Sequence, residues 1–455
     1  MLGSFTPSAR DVRALLSLAI PIVVVHVGLM LMSVVGTTYL GHVSATELAA
    51  GALGNLYVVG LTSFGIGTLW AVDPIVSQAL GARDHEAAAT GVQRGLVLGV
   101  VLSLTMVLAC LPAGPVLQLL RQPAEVVPRA QAFVLLSAPS MAATMLFVTL
   151  RQSLQAMKRT RGVLLAIGVA NLVNLLLHEW LVSGRHVTPG WGANGSALAI
   201  AASRFAMCAA LLAFSWHELA PVLRPWRRHA GERRALVRTL RIGLPIGAQN
   251  SIEFTTFALI SVFAGWFGAH AIGGHQVAIN LASLMFMVPL GVGSAASVLV
   301  GRAIGEQDLP HARRVAASAI LCGAAFMTAS AVALLAWAGP FARSISSVAD
   351  VVAVATALIP IAGVFQVFDG VQVVSARALR GAGDTRAPLV ANLLGFWFVG
   401  IPVSLLLGFS AGLGVVGLWW GFVAGLAAVA AFLVWRVRRL LSRPVARVHV
   451  DAGPA

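Results

Sequence analysis

The stretch VVAVATALIPIAGVFQVFDGVQVVSA (351–376) contains a single charged residue, Asp369. It is longer than the ~20 mostly apolar residues that carry an α-helix across a bilayer, so it reads as a membrane span. Working outward, similar stretches predict helices near 14–38, 48–72, 88–111, 130–150, 162–182, 193–215, 240–264, 272–299, 314–337, 351–376, 387–408 and 413–435. The region 48–80 is alternatively one long helix kinked at Pro74, and 272–299 carries Pro289; neither changes the number of crossings. The 455-residue chain is 58% hydrophobic and 10% charged, against roughly 25% charged in a soluble domain. Too little polar surface remains to face water. The expected fold is an all-α polytopic membrane protein with twelve transmembrane helices.

A net charge of +15 would suggest nucleic acid in a soluble protein. Placement excludes that reading, because 26 of the 31 Lys and Arg fall at the N-terminus, in 83–94, 151–161, 224–241, 302–314 and 377–386, or after 435. The other connections hold only Arg121, Arg129, Arg185 and Arg343, and Arg204 lies within the sixth helix. On a twelve-helix path every base-rich segment lies on one side, and the positive-inside rule makes that side, with both termini, cytoplasmic. Membrane lipids with anionic headgroups are then natural partners, and nucleic acid is not. Cys110, Cys208 and Cys322 lie in apolar helices without metal-ligand spacing and read as packing residues. MLGSFTPSAR (1–10) leads into the first span without a small-residue cleavage site, so no removable signal is expected.

Superposing the chain on itself at an offset of 224 pairs Pro21 with Pro245, Gly67 with Gly291, Gly81 with Gly305, Asp84 with Asp308 and Ala88 with Ala312. Asn55 matches Asn280 with one residue of slippage, and GWGANG (190–195) faces GLGVVG (412–417). Matches clustered at equivalent helix ends indicate duplication. A six-helix unit crosses an even number of times, so the copies are two parallel six-helix repeats, a design that holds substrate near the membrane midplane. The expected organisation is an N-terminal lobe over 1–222, a basic cytoplasmic linker over 223–240, and a C-terminal lobe with a basic tail over 241–455. The GxGxxG strings sit in short connections between spans and lack the βαβ unit of a dinucleotide site. GFSAG (408–412) lacks the strand and helix of a nucleophile elbow. No catalytic residue, HExxH metal motif or Ser–His pairing is found, so no enzyme is expected.

Two acids stand apart. Glu253, in PIGAQNSIEFTTFALI (245–260), sits near the middle of the seventh helix, and Asp369 lies within the tenth. A charged side chain at the bilayer centre costs ~2.5–3.5 kcal/mol on insertion scales, so such residues face a cavity or a partner and mark an ion path. Arg377 and Arg380 fall at the cytoplasmic end of the tenth helix, leaving no mid-helix base in this half to neutralise the acids. The plain alternative is a protonated or paired structural carboxyl. Asp73 lies toward the cytoplasmic end of the second helix, His26 is read as a packed histidine, Glu179 as interfacial, and Arg204 as structural.

SATELAAGALGNLY (44–57), SQALGAR (77–83), GHQVAINLASLMFMVPLGVGSAASVLVGRAIGE (274–306) and FDGVQVVSARALRGAGDTRAP (368–388) resemble the multidrug and toxic compound extrusion (MATE) transporters, in their bacterial NorM-like branch. The resemblance runs nearly end to end. It implies two MATE-type six-helix bundles in the bacterial inner membrane, no cofactor, a monomer, and export of small organic cations in exchange for Na⁺ or H⁺. It also implies that Glu253 and Asp369 serve the coupling ion, as Na⁺ ligands if Na⁺ couples. Gln276, Phe365 and Asp369 are implied as the substrate-binding residues. The chain departs from the pattern at Gly36, in MSVVGTTYL (32–40), where many relatives carry an aspartate. An exporter of lipid-linked sugars or other metabolites is the alternative on the same superfamily fold, and would predict cationic groove residues.

Overall fold

The computed structural model describes residues 5–183 and 190–448. Arg185, one of the bases in the sparse loops, lies outside the described residues, which contain helices and no strand. The helices are α1 (Ala9–Val43), α2 (Ala45–Leu69), α3 (Val72–Gly81), α4 (His85–Cys110), α5 (Ala113–Leu119), α6 (Val127–Ser137), α7 (Ser140–Ala156), α8 (Arg161–Leu181), α9 (Gly192–Phe214) and α10 (Trp216–Leu223). They continue as α11 (Arg233–Trp266), α12 (Ala269–Gly305), α13 (Leu309–Ala336), α14 (Ala338–Ile345), α15 (Ala349–Gly381), α16 (Arg386–Asn392), α17 (Ile401–Leu405) and α18 (Gly414–Leu441).

Among the described residues, ten helical stretches are long and apolar enough to cross a membrane, with α2 and α3 counted together. The pair α6 and α7, bent by 49° at a short break, makes an eleventh. The twelfth expected span is α11, which at 34 residues is long enough to cross. Its apolar run is interrupted by Gln249, Asn250, Ser251 and Glu253, so composition alone does not single it out. The stretch Arg386–Ser410 is one span whose hydrogen bonding loosens to π-helix at Leu393–Gly400 and Leu406–Ser410.

The chain forms two compact units. One comprises the described parts of Met1–Val23, Ser77–Arg83 and Ala248–His449, and the other those of Val24–Val76 and Asp84–Gly247. For brevity these are unit A and unit B. Unit A has two apolar cores. The first joins Leu15 and Ile22 of α1 to Val298, Val374, Leu379 and Leu433, and the second joins Ile260, Leu358, Phe365, Phe396, Trp419 and Phe422. In unit B, Val25, Phe147, Ala166 and Leu211 form one core, and Val58, Leu98, Met141 and Met145 form another.

Lipid tails are as apolar as leucine, so contact between spans rests on close packing, which small residues permit. On α18 a methyl group added to Gly425 would lie 2.8 Å from the Gly400 Cα, and one added to Gly421 or Gly417 would strike the backbone of Ser404 or Leu407. The duplication is visible in detail. Asp84 Oδ1 accepts from the Ala87 N–H and Asp308 Oδ1 from the His311 N–H, each at 2.9 Å, which satisfies a free amide at the start of α4 and of α13. The residues just before these caps, Arg83 and Gln307, take the same left-handed conformation, with φ of 58° and 59°. In unit B, α4 fastens the basic connection: Gln93 donates to the carbonyls of Val222 and Pro225 and accepts from the Arg227 N–H, and Arg94 donates to the His229 carbonyl.

Candidate functional site

Glu253 on α11 and Asp369 on α15 both belong to unit A. They lie close enough for charge on one to bear on the other. Glu253 is half-buried, and its Oε2 accepts from Asn392 Nδ2 at 3.4 Å. The Gln372 side chain also reaches this carboxyl, and its Nε2 donates to Asn392 Oδ1 at 3.3 Å. Asn392 closes α16 at the point where the π-helical stretch begins. Such widened turns inside α-helices gather at functional sites, because they redirect side chains.

Asp369 is one of four polar side chains spaced three residues apart on α15. Gln366, Asp369, Gln372 and Ser375 are all buried, with Asp369 only 4% exposed. Three-residue steps keep neighbouring side chains on adjoining turns of one helix face. Ser330 Oγ donates to Gln366 Oε1 at 3.0 Å. Beyond that, Gln366 Nε2, Asp369 Oδ1, Gln372 Oε1 and Ser375 Oγ are buried atoms with no hydrogen-bond partner. A buried polar atom left unpaired costs ~1–3 kcal/mol. Asp369 Oδ1 and Gln372 Oε1, one turn apart on α15 and near a second carboxyl, are atoms that a bound ion, proton or polar ligand would satisfy. The unpaired oxygens are carboxylate, amide and hydroxyl, the donor set of hard cations. Among the described residues no three His, Cys, Asp or Glu side chains gather as a metal-binding group.

Arg377 and Arg380, placed by the sequence at the far end of this helix, are nonetheless buried, and their charges bear on Glu253. Arg377 Nη1 donates to Ser294 Oγ at 2.6 Å. Carboxylate–arginine pairs are found at Arg129–Glu47, Arg314–Asp11 and Arg436–Asp384.

Phe365 is buried one turn from Asp369, where its ring meets Phe257, Trp419 and Phe422 at centroid distances of 6.0, 5.7 and 5.1 Å. Gln276 is exposed on α12, and among the described residues no hydrogen bond joins it to either acid. Its neighbour His275, which sequence reading passed over, is buried and fully bonded. Trp419 Nε1 lies 3.2 Å from His275 Nδ1, and Ser261 Oγ lies 2.9 Å from Nε2. An indole N–H only donates, so Nδ1 accepts and Nε2–H donates to the serine, the arrangement of a neutral imidazole.

Unit B carries a different set around Gly36. A small cavity of about 40 Å³ is lined by Ser33, Gly36, Thr37, Asn55 and Ser196 among others. A methyl group at Gly36 would come within 3.2 Å of His178 Nε2. His178 is fully buried; its Nδ1–H donates to the Asn174 carbonyl at 2.8 Å, so Nε2 accepts from the Ser196 hydroxyl at 3.0 Å. Asp73, at the start of α3, and His26, within α1, are buried. Arg204 Nη1 donates to Ser140 Oγ at 3.1 Å, and Glu179 accepts from the Tyr39 hydroxyl at 2.9 Å.

Membrane-spanning helices arranged as a duplicated scaffold, with paired acids and unpaired polar atoms buried at mid-helix, define a membrane transport protein. The family model described as MatE matches residues 21–180 and 245–406, so the same pattern recurs in each half and begins at Pro21 and again at Pro245. The chain belongs to the MatE family and falls in its bacterial NorM-like branch. It is 33% identical to multidrug resistance protein NorM of Burkholderia vietnamiensis, covering 92% of each chain. It is 30% identical to multidrug resistance protein MdtK of Edwardsiella ictaluri, over 96% of this chain and 97% of that one. Among solved structures, a eukaryotic MATE transporter shares the fold with a TM-score of 0.87 at 20% identity, covering 94% of this chain and 96% of its own.

Proposed function

We propose that this protein is a multidrug efflux antiporter of the bacterial inner membrane, without enzymatic activity, exporting organic cations in exchange for Na⁺ or H⁺. In this reading Glu253 and Asp369 hold the coupling ion in a partly dehydrated site, as Na⁺ ligands where Na⁺ couples. Gln372, Asn392 and Ser375 contribute neutral oxygens beside them. The exported cation is held by Asp369, with Gln276 and Phe365 contributing once the helices rearrange. Both termini and the linker 223–240 face the cytoplasm, the lobes 1–222 and 241–455 rock about that linker, and the chain works as a monomer.

The observation that carries this reading is the row of unpaired polar atoms on α15, set beside a second carboxyl that has its own amide donors. Relatives named for multidrug resistance match it over nearly the whole chain, which supports the substrate class. Exchange follows from competition for the same carboxylates. A ligand shifts a conformational equilibrium only by its differential affinity for the two states, so ion and drug must favour different ones. The membrane potential adds ~2.3 kcal/mol per net charge moved per 100 mV.

The test is ethidium efflux from proteoliposomes under an imposed Na⁺ or proton gradient. Glu253→Gln and Asp369→Asn are expected to abolish gradient-driven efflux while leaving the protein folded. Full efflux from both variants would remove the acids from the mechanism.

A further inference from the structure

The ends of α3 and α12 meet inside unit A with a glycine from each helix at the contact. A methyl group at Gly81 would run into the Arg302 carbonyl oxygen and lie 2.9 Å from the carbonyl carbon. A methyl group at Gly305 would run into the Gln78 carbonyl oxygen and lie 2.9 Å from that carbonyl carbon. At the repeat offset of 224, Gly81 corresponds to Gly305 and Gln78 to Arg302. Each helix end therefore presents a glycine to the same carbonyl of its own duplicate. Such backbone-on-backbone approach needs a residue without Cβ, because any larger side chain holds the helices apart.

Further contacts reinforce the meeting point. Gly301 on α12 faces the Ser77 side chain, and Gly381 at the end of α15 faces the Ser297 carbonyl. Gln78 is completely buried and acts as a clip: its Nε2 donates to the Gly381 carbonyl at 2.8 Å, and its Oε1 accepts from the Val448 N–H at 2.7 Å. The tail after α18 is thus fastened over the same point. Gly81 and Gly305 directly precede the turns that carry Arg83 and Glu306 and lead into Asp84 and Asp308.

We propose that Gly81 and Gly305 form a two-fold clasp that seals the base-rich face of the transporter when closed and admits the exported molecule when it parts. The inference rests on the antiport reading for its cycle. Its geometry comes from the glycine contacts. A contact between equivalent backbones is suited to a gate, since it depends on no side-chain rotamer and no ionisation state, and either copy can lead its opening. Ser77–Arg83 derives from the first half of the chain yet packs within unit A, so parting here moves one repeat's helix end away from the other's.

The experiment uses the full-length chain with Cys110, Cys208 and Cys322 replaced by alanine, and with Arg83→Cys and Glu306→Cys carrying spin labels at two exposed positions. Gly81→Ala and Gly305→Ala are each expected to lower the short-distance population roughly tenfold, an amount that a single added contact or clash readily supplies. Gly168→Ala, where nothing lies within 4 Å of the added methyl, is expected to leave the distribution unchanged. In reconstituted protein, joining the two cysteines with a short reducible cross-linker is expected to stop ethidium efflux, and reduction to restore it. The clasp is overturned if both alanine variants keep the parent's distances, or if the cross-linked protein exports at the parent's rate. An alanine variant that fails to fold leaves the cross-linking arm decisive. A parent that exports nothing overturns the antiport reading, while the distance measurement still decides the clasp.

Discussion

Units A and B are built from the same duplicated pattern but carry different side chains around Asp369 and around Gly36. Unit A carries Glu253 and Asp369 with a row of unpaired polar atoms. Unit B carries His178, Ser196 and Gly36, a set in which every histidine nitrogen is bonded and no carboxylate faces the small cavity. At the repeat offset Glu253 corresponds to Leu29 on α1, so the acid was gained or kept on one side only. The difference teaches that the repeated pattern does not itself prescribe an acid at the Glu253 position. An equivalent helix carries leucine at that place, so the repeated pattern by itself does not call for a carboxyl there, and the proposed ion exchange would give it a use.

Changing Asp369 should break this contrast most severely. Asp369→Asn keeps the shape and removes the charge, and it is expected to weaken coupling-ion binding by ~3 kcal/mol, about 100-fold, with loss of gradient-driven efflux. Ion titration of purified protein, read by tryptophan fluorescence, checks it. Asn392→Ala is expected to cost less, because it removes one donor from Glu253 and leaves the charge in place. A loss of ~1–2 kcal/mol, roughly tenfold in ion affinity with efflux retained at saturating ion, is the expected outcome. On the other side, Ser196→Ala leaves His178 Nε2 without its donor in a buried place. It should lower thermal stability by ~1 kcal/mol and leave ion affinity unchanged. An ion affinity that falls as far in Ser196→Ala as in Asn392→Ala would mean that the two units share the ion, and the contrast would fail.

Much of this architecture is readable in the sequence, for physical reasons. Long apolar runs announce spans because lipid tolerates little else, and the 224-residue offset announces the repeat because caps and tight turns demand particular residues. Asp84 and Asp308 are such caps, and both perform the same hydrogen bond. The two acids stand out because a charge in a bilayer is costly. Other features leave no such mark. Gln372 and Asn392 complete the acidic site, yet amides are common enough in spans that a single sequence does not separate these from any other. The nearest signal is the polar break in ANLLGFWFVGIP (391–402), where the helix widens. The burial of Phe365 among Phe257, Trp419 and Phe422 depends on three distant helices. That α1 and α11 each divide between the two units, at Val23 and Gly247, follows from tertiary packing and not from composition.

The central claim is that one acidic site in unit A is contested by a small cation and an organic one. Equilibrium binding of ethidium to the purified protein, titrated with Na⁺ at fixed pH and with protons at fixed Na⁺, tests it most directly. Affinity that falls as one of these ions rises, and loses that dependence in Asp369→Asn, is the predicted result. Ethidium binding indifferent to both ions, or equally ion-sensitive after the substitution, would contradict it.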